Sequence, residues 1–119
     1  MQKRILVVDD NQVIRLIVRS ALEMHTPFIV HEACDGLDAV EKAESLNPDL
    51  VVIFPCLASM ASRKLKSACP PVQVVLFTIH KSMGTDSEAD QAGLDAIVSK
   101  SDGIEPLIQE VQNLLERTQ

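Results

Sequence analysis

The residues able to do chemistry in this 119-residue chain are few, and they stand where apolar runs end. Asp9 and Asp10 follow Ile5-Leu6-Val7-Val8, Phe54 closes Leu50-Val51-Val52-Ile53, Thr78 closes Val72 to Phe77, and Lys100 follows Ala96-Ile97-Val98-Ser99. Adjacent carboxylates attract a divalent cation, while a hydroxyl and an ammonium donate hydrogen bonds to oxyanions. A hydrocarbon ring at position 54 offers neither charge nor a nucleophilic atom. Each residue also has a purely structural reading. Asp10 or Asn11 can cap a helix, Thr78 can bond nearby backbone, Lys100 can pair with Asp9 or Asp10, and Phe54 can serve as a core aromatic.

The elements that position these groups follow from hydrophobic spacing. Ile5 to Val8 is a run of branched aliphatics bounded by Lys3-Arg4 and by the two acids, the pattern of a strand covered on both faces in a parallel sheet. From Asn11 the spacing becomes helical: Val13, Ile14, Ile17, Val18, Ala21 and Leu22 share one face and Arg15, Arg19 and Glu23 another, predicting a helix that ends near Met24. A short strand is expected at Phe28-Ile29-Val30. A second helix opens at Asp35-Gly36, carries Ala39, Val40 and Ala43, and closes at Asn47-Pro48.

Asp49 to Pro55 and Val72 to Thr78 read as buried strands, separated by a helix from Ala58 to Ala68 with Leu65 inward and Arg63, Lys64 and Lys66 outward. The segment from Ser82 to Ala92 is the poorest helix, weakened by Gly84. Asp95 to Ser99 is the last strand. Asp102 and Glu105 have capping-box spacing before a final helix whose inward residues are Ile104, Leu107, Ile108, Val111, Leu114 and Leu115, with Pro106 tolerable only in its first turn. Five strands alternating with five helices predict a doubly wound α/β domain over residues 1–119, with a parallel sheet of order 2-1-3-4-5. In such a sheet, ligands bind at the carboxyl ends of the strands, at the switch point between strands 1 and 3.

Composition bounds the rest. With 46% hydrophobic and 24% charged residues the chain is globular. A formal charge of -6 supplies no basic footprint for a phosphate backbone, so direct nucleic-acid binding is not expected. Cys34, Cys56 and Cys69 show no C-x-x-C spacing and no secretory leader is evident, which predicts reduced thiols in the cytoplasm. His25, His31 and His80 lack ligand spacing and read as surface residues. The apolar runs are too short to cross a membrane.

Taken together, Asp9, Asp10, Thr78 and Lys100 resemble the site of the receiver domain of two-component response regulators, and the resemblance covers the whole chain. It implies the flavodoxin-like, CheY-like (βα)5 fold. It also implies an acid pair, here Asp9 and Asp10, for Mg2+, and phosphoryl-contacting groups matched by Thr78 and Lys100. In the family an aspartate ending strand 3 accepts the phosphoryl group; here that position holds Phe54. The residue that commonly toggles, three before the lysine, is Ile97 rather than an aromatic. Pro55-Cys56-Leu57-Ala58-Ser59 replaces the usual Met-Pro loop, the gap from Phe54 to Thr78 is short, and Ser101 stands where proline is usual.

The resemblance with these departures implies a degenerate receiver, not an enzyme, that works through protein contacts without aspartyl phosphorylation. Mg2+ is expected to be weakly held at best, with no other cofactor. The partner is expected to be a signalling or output domain, or a second copy, on the face of the fourth helix, fifth strand and fifth helix. Two rivals are a receiver phosphorylated on another side chain and a Mg2+-dependent phosphate-handling enzyme of related fold. Asp49 does not rescue the first, since the strand places it roughly 16 Å from the rim. Ser59 and Cys56 have no evident neighbouring base, and the second rival has no nucleophile.

Overall fold

The computed structural model describes residues 2–53, 64–67, 72–78 and 94–117. Its sheet is parallel throughout, with strand order β2-β1-β3-β4-β5. The strands are β1 (Arg4–Val8), β2 (Ile29–Ala33), β3 (Leu50–Ile53), β4 (Gln73–Thr78) and β5 (Ala96–Ser99). Helix α1 (Gln12–His25) follows β1, α2 (Gly36–Leu46) follows β2, and the C-terminal helix α3 (Glu105–Arg117) follows β5. Residues 64–67 are helical and bury Leu65. The expected helix from Ser82 to Ala92, the loop from Pro55 to Ser59, Cys69 and His80 lie outside the described residues.

Alternation along the strands sends side chains to two cores. Ile5 and Val7 join Val18 and Leu22 of α1 and Leu107, Val111 and Leu115 of α3 on one face. Leu6 and Val8 join Ala39 and Ala43 of α2 and Leu65 on the other. The ends of the helices are fixed by short polar side chains. Asn11 accepts from the amides of Val13 and Ile14 at 2.9 and 3.2 Å, and Asp35 accepts from Asp38 at 2.8 Å. Asn47 ends α2 in the left-handed region at φ 50, a conformation Asn tolerates better than most residues.

Three sequence expectations need correction. Strand β2 starts at Ile29, not Phe28, and continues through His31 and Glu32 to Ala33. An edge strand is covered less completely than a central one, so it carries these two polar residues, and the apolar run ended too early to mark it. In α1, Val13 and Ile17 are 65% and 56% exposed, as are Leu16 and Met24 to similar or greater extent. The apolar arc of this helix is wider than the strip that the sheet and α3 cover, and Ile14, Val18, Ala21 and Leu22 fill that strip. Finally, Asp102 does not stand at the position just before α3. Residues Lys100–Asp102 form a 3-10 turn, Gly103 follows at φ 88, and the helix starts at Glu105 with Pro106 in its first turn, where the missing N–H costs no helix bond.

His31 is half-buried rather than a surface residue, and its Nε2 has no hydrogen-bond partner among the described residues. Burial, and the positive charges of Arg4, Arg19 and Lys42 around it, hold its pKa below the usual histidine value. The unfolded chain therefore binds this proton more readily than the folded one. Stability from this source is complete above about pH 6.5 and declines as pH falls through that value. Urea midpoints measured at about pH 7.5 and pH 6 should differ in that direction, and His31→Gln should flatten the difference; an equally steep slope in the variant would remove His31 as its source.

Candidate functional site

The parallel register places the chemistry-bearing residues at one rim. Val8 aligns with Ala33 and with Ile53, Ile53 with Leu76, and Thr78 with Ser99, so the residues just beyond these rows share the carboxyl edge of the sheet. Asp9 is 5% exposed, Thr78 7% and Ser99 6%, three polar residues sunk into the edge of the core. Asp10 is exposed. Position 54 follows Ile53 directly and lies outside the described residues, so Phe54 enters here by its chemistry alone. Ile97 pairs with Leu76 and is half-buried against the α2-side core. Asp49 sits at the opposite end of β3, where its carboxylate accepts from the Arg4 amide at 2.8 Å, far from this rim.

Asp9 is held at several atoms. Its N–H donates to the carbonyl of Ala33 at 3.2 Å, its Oδ1 accepts from the Asn11 amide at 2.8 Å, and its carbonyl accepts from Arg15 at 2.7 Å. Its Oδ2 faces the Lys100 ammonium at 3.9 Å. Burial pushes the Asp9 carboxyl above the usual aspartate range, and neighbouring Asp10 adds to this; the Asn11 N–H and Lys100 oppose it. Lys100 also lies 5.6 Å from the centroid of the Phe77 ring, within reach of a cation–π attraction. Beyond it, Ser99 Oγ accepts from the Ser101 amide at 3.2 Å and lies 2.6 Å from Ser101 Oγ, closing the turn that carries the lysine.

Of the residues singled out in the sequence, the structure brings Asp9 and Lys100 into direct contact and sets Thr78 on the same edge. Asn11, rather than Asp10, takes the helix cap, which leaves the Asp10 carboxylate at the surface. Arg15 was missed as a neighbour of the site. The four-residue spacing sets Arg15, Arg19 and Glu23 on one face opposite the apolar one, yet the Arg15 side chain is only 15% exposed and turns inward to Asp9 and Glu32. Its partner Glu32 is 17 positions away, so no local spacing could have revealed the pair.

A doubly wound parallel sheet thus gathers a buried acid, a buried hydroxyl and a half-buried lysine at its carboxyl edge, the side on which such sheets bind ligands. The chain belongs to the response regulator receiver domain family, whose model matches residues 5–112. It is 34% identical over 98 residues to a protein-glutamate methylesterase/protein-glutamine glutaminase of Methanosarcina acetivorans, covering 79% of this chain and 28% of that protein. It is 28% identical to the response regulator GacA of Pseudomonas aeruginosa, covering 93% of this chain and 54% of that one. Among solved structures, a LuxR-family two-component response regulator from Aurantimonas superposes with a TM-score of 0.88 at 26% identity, over 98% of this chain and 86% of that one. The response regulator domain of Thermotoga maritima CheB gives 0.74 at 28% identity, over 98% and 93%.

The chain thus spans between about a quarter and a half of the curated relatives it matches. The methylesterase likeness reaches only a minor share of that enzyme, and receiver domains act through protein partners such as output domains. No helix among the described residues is long and apolar enough to cross a membrane.

Proposed function

We propose that this chain is a degenerate receiver domain, which signals through protein contacts without forming an aspartyl phosphate. The observation that carries this reading is Phe54, which directly follows Ile53, the register partner of Val8 next to the acid pair. Receiver chemistry needs an oxygen nucleophile there, and a phenyl ring has none. Asp9, Asp10, Thr78 and Lys100 are then remnants of the receiver site, Ile97 stands at the switch position, and the rim rests with Lys100 against Asp9. The partner is a protein, an output or signalling domain or a second copy, engaged through the β5 and C-terminal helix face. The net charge of -6 speaks against direct nucleic-acid contact. The reduced-thiol reading favours the cytoplasm.

Mg2+, which the family implies, fits the described donors poorly. One Asp9 oxygen is taken by the Asn11 amide and the other faces an ammonium, and among the described residues no three His, Cys, Asp or Glu are grouped to hold a metal. A missing third carboxylate removes about 4 kcal/mol of attraction per unit of cation charge near 4 Å at an effective dielectric of 20, before desolvation. Calorimetry is expected to show Mg2+ affinity no tighter than millimolar, and a submillimolar constant would contradict this. The functional reading itself is tested by adding beryllofluoride with Mg2+, a mimic that needs an acceptor carboxylate. Amide resonances at Asp9, Thr78 and Lys100 should stay in place; a saturable shift concentrated on them would refute the proposal.

A further inference from the structure

Glu32, at the outer edge of the sheet, is the hub of a charged cluster that the proposed function leaves unused. Its Oε1 accepts from Arg15 Nε at 3.0 Å and its Oε2 from Arg19 at 2.7 Å, while its carbonyl accepts from Lys42 at 2.6 Å. Arg19 also meets Glu23 at 3.4 Å. The arginine–carboxylate contacts hold the Glu32 carboxyl below its usual range, so it stays ionised near neutral pH. From this cluster one arm, Arg15, reaches inward and donates to the Asp9 carbonyl.

We propose that Arg15 is the positioning residue of the acid loop: clamped by Glu32, its guanidinium fixes the Asp9 backbone and so governs the contact between Asp9 and Lys100. The inference rests on the reading that the rim settles with Lys100 on Asp9. A guanidinium presents its donors in a rigid planar fork, so holding one acceptor sets the direction of the other. With Glu32 holding Nε, the plane of the guanidinium is set, and Nη1 within that plane meets the Asp9 carbonyl. Asp9 is thereby pinned at its N–H, its carbonyl and Oδ1, which leaves Oδ2 turned toward the lysine. Two of these three anchors come from the adjacent strand and the adjacent loop. The third alone runs through side chains to the sheet edge, where the Arg19 side chain is 39% exposed. The order of contact from rim to edge is Lys100, Asp9, Arg15, Glu32, Arg19.

The test reads two signals by NMR: hydrogen exchange at the Asn11 amide, whose acceptor is Asp9 Oδ1, and the Lys100 13Cε resonance. Arg15→Met should speed Asn11 exchange by about tenfold or more, the order expected for losing a hydrogen bond that involves a charged group, and should move the Lys100 resonance. Glu32→Gln should act in the same direction, with the double variant little worse than either single one. Arg15→Lys should not restore either signal, because an ammonium lacks the fork.

Val18→Ala, which opens a cavity in the same helix away from both partners, controls for general loss of stability and should leave both signals in place. Wild-type exchange in Arg15→Met, or equal acceleration in Val18→Ala, would overturn the inference. Lys100→Met separates this from the parent reading. If it moves the Asp9 and Asn11 resonances while Arg15→Met does not, only the positioning role fails. If Lys100→Met moves neither, the resting pair is absent and this inference falls with it, while the absence of aspartyl phosphorylation, carried by Phe54, is decided separately by the beryllofluoride titration.

Discussion

Incubated with acetyl phosphate and Mg2+, the wild-type protein is expected to keep its mass. Transfer from an acyl phosphate needs an in-line oxygen nucleophile beside a cation that neutralises developing charge, and most of the catalysis lies in that positioning. On the proposed reading a phenyl ring stands at the acceptor position, Asp49 flanks β3 at its far end, and the ammonium of Lys100 already faces Asp9. Phe54→Asp should restore three carboxylates and raise Mg2+ affinity. It should restore phosphorylation only in part, because the segment to Thr78 is short and Ile97 replaces the aromatic toggle. A wild-type gain of about 80 Da, acid-stable and base-labile, would show the central reading to be wrong.

Leu6→Ala is expected to be among the most damaging single changes to the fold. Leu6 is fully buried on β1, in register with His31 on one side and Val51 on the other, so the strands cannot close on the space left behind. Such truncations cost about 3 to 5 kcal/mol, a large share of the roughly 5 to 15 kcal/mol that a domain of this kind possesses. Val13→Ala, at a position 65% exposed, should change stability by no more than about 0.5 kcal/mol. Urea unfolding checks both through the midpoint at constant slope. Comparable losses at the two sites would mean that the exposed side of α1 is covered after all.

These contrasts also mark what the sequence made legible. Strands β1, β3 and β4 are buried on both faces, so their residues must be apolar without interruption, and the runs are visible directly. Edge strand β2 needs only partial cover, and His31 and Glu32 hide its second half. Helix α1 announces itself by period, but period alone does not say how wide a strip its neighbours cover, so Val13 and Ile17 share the apolar face and yet stay exposed. The acid, the hydroxyl and the lysine were readable because each ends a recognisable strand. Arg15 was not, because its role depends on Glu32 from another element, and a charged residue in a four-residue row looks solvated until its long-range partner is known.

The separation of the core by the sheet has a consequence for combining mutations. Ile5 and Val7 pack with α1 and α3, whereas Leu6 and Val8 pack with α2, although the four are consecutive. Neighbours in sequence here are strangers in packing. Truncations at Leu22 and Leu115 share one compartment and should interact, because relaxation around one cavity alters the other. Truncations at Leu22 and Ala43 lie on opposite sides of a hydrogen-bonded wall, and their costs should simply add. The domain can therefore vary one layer over evolutionary time while the other stays as it is, and the rim, drawn from the strands that both layers share, keeps its register through either change.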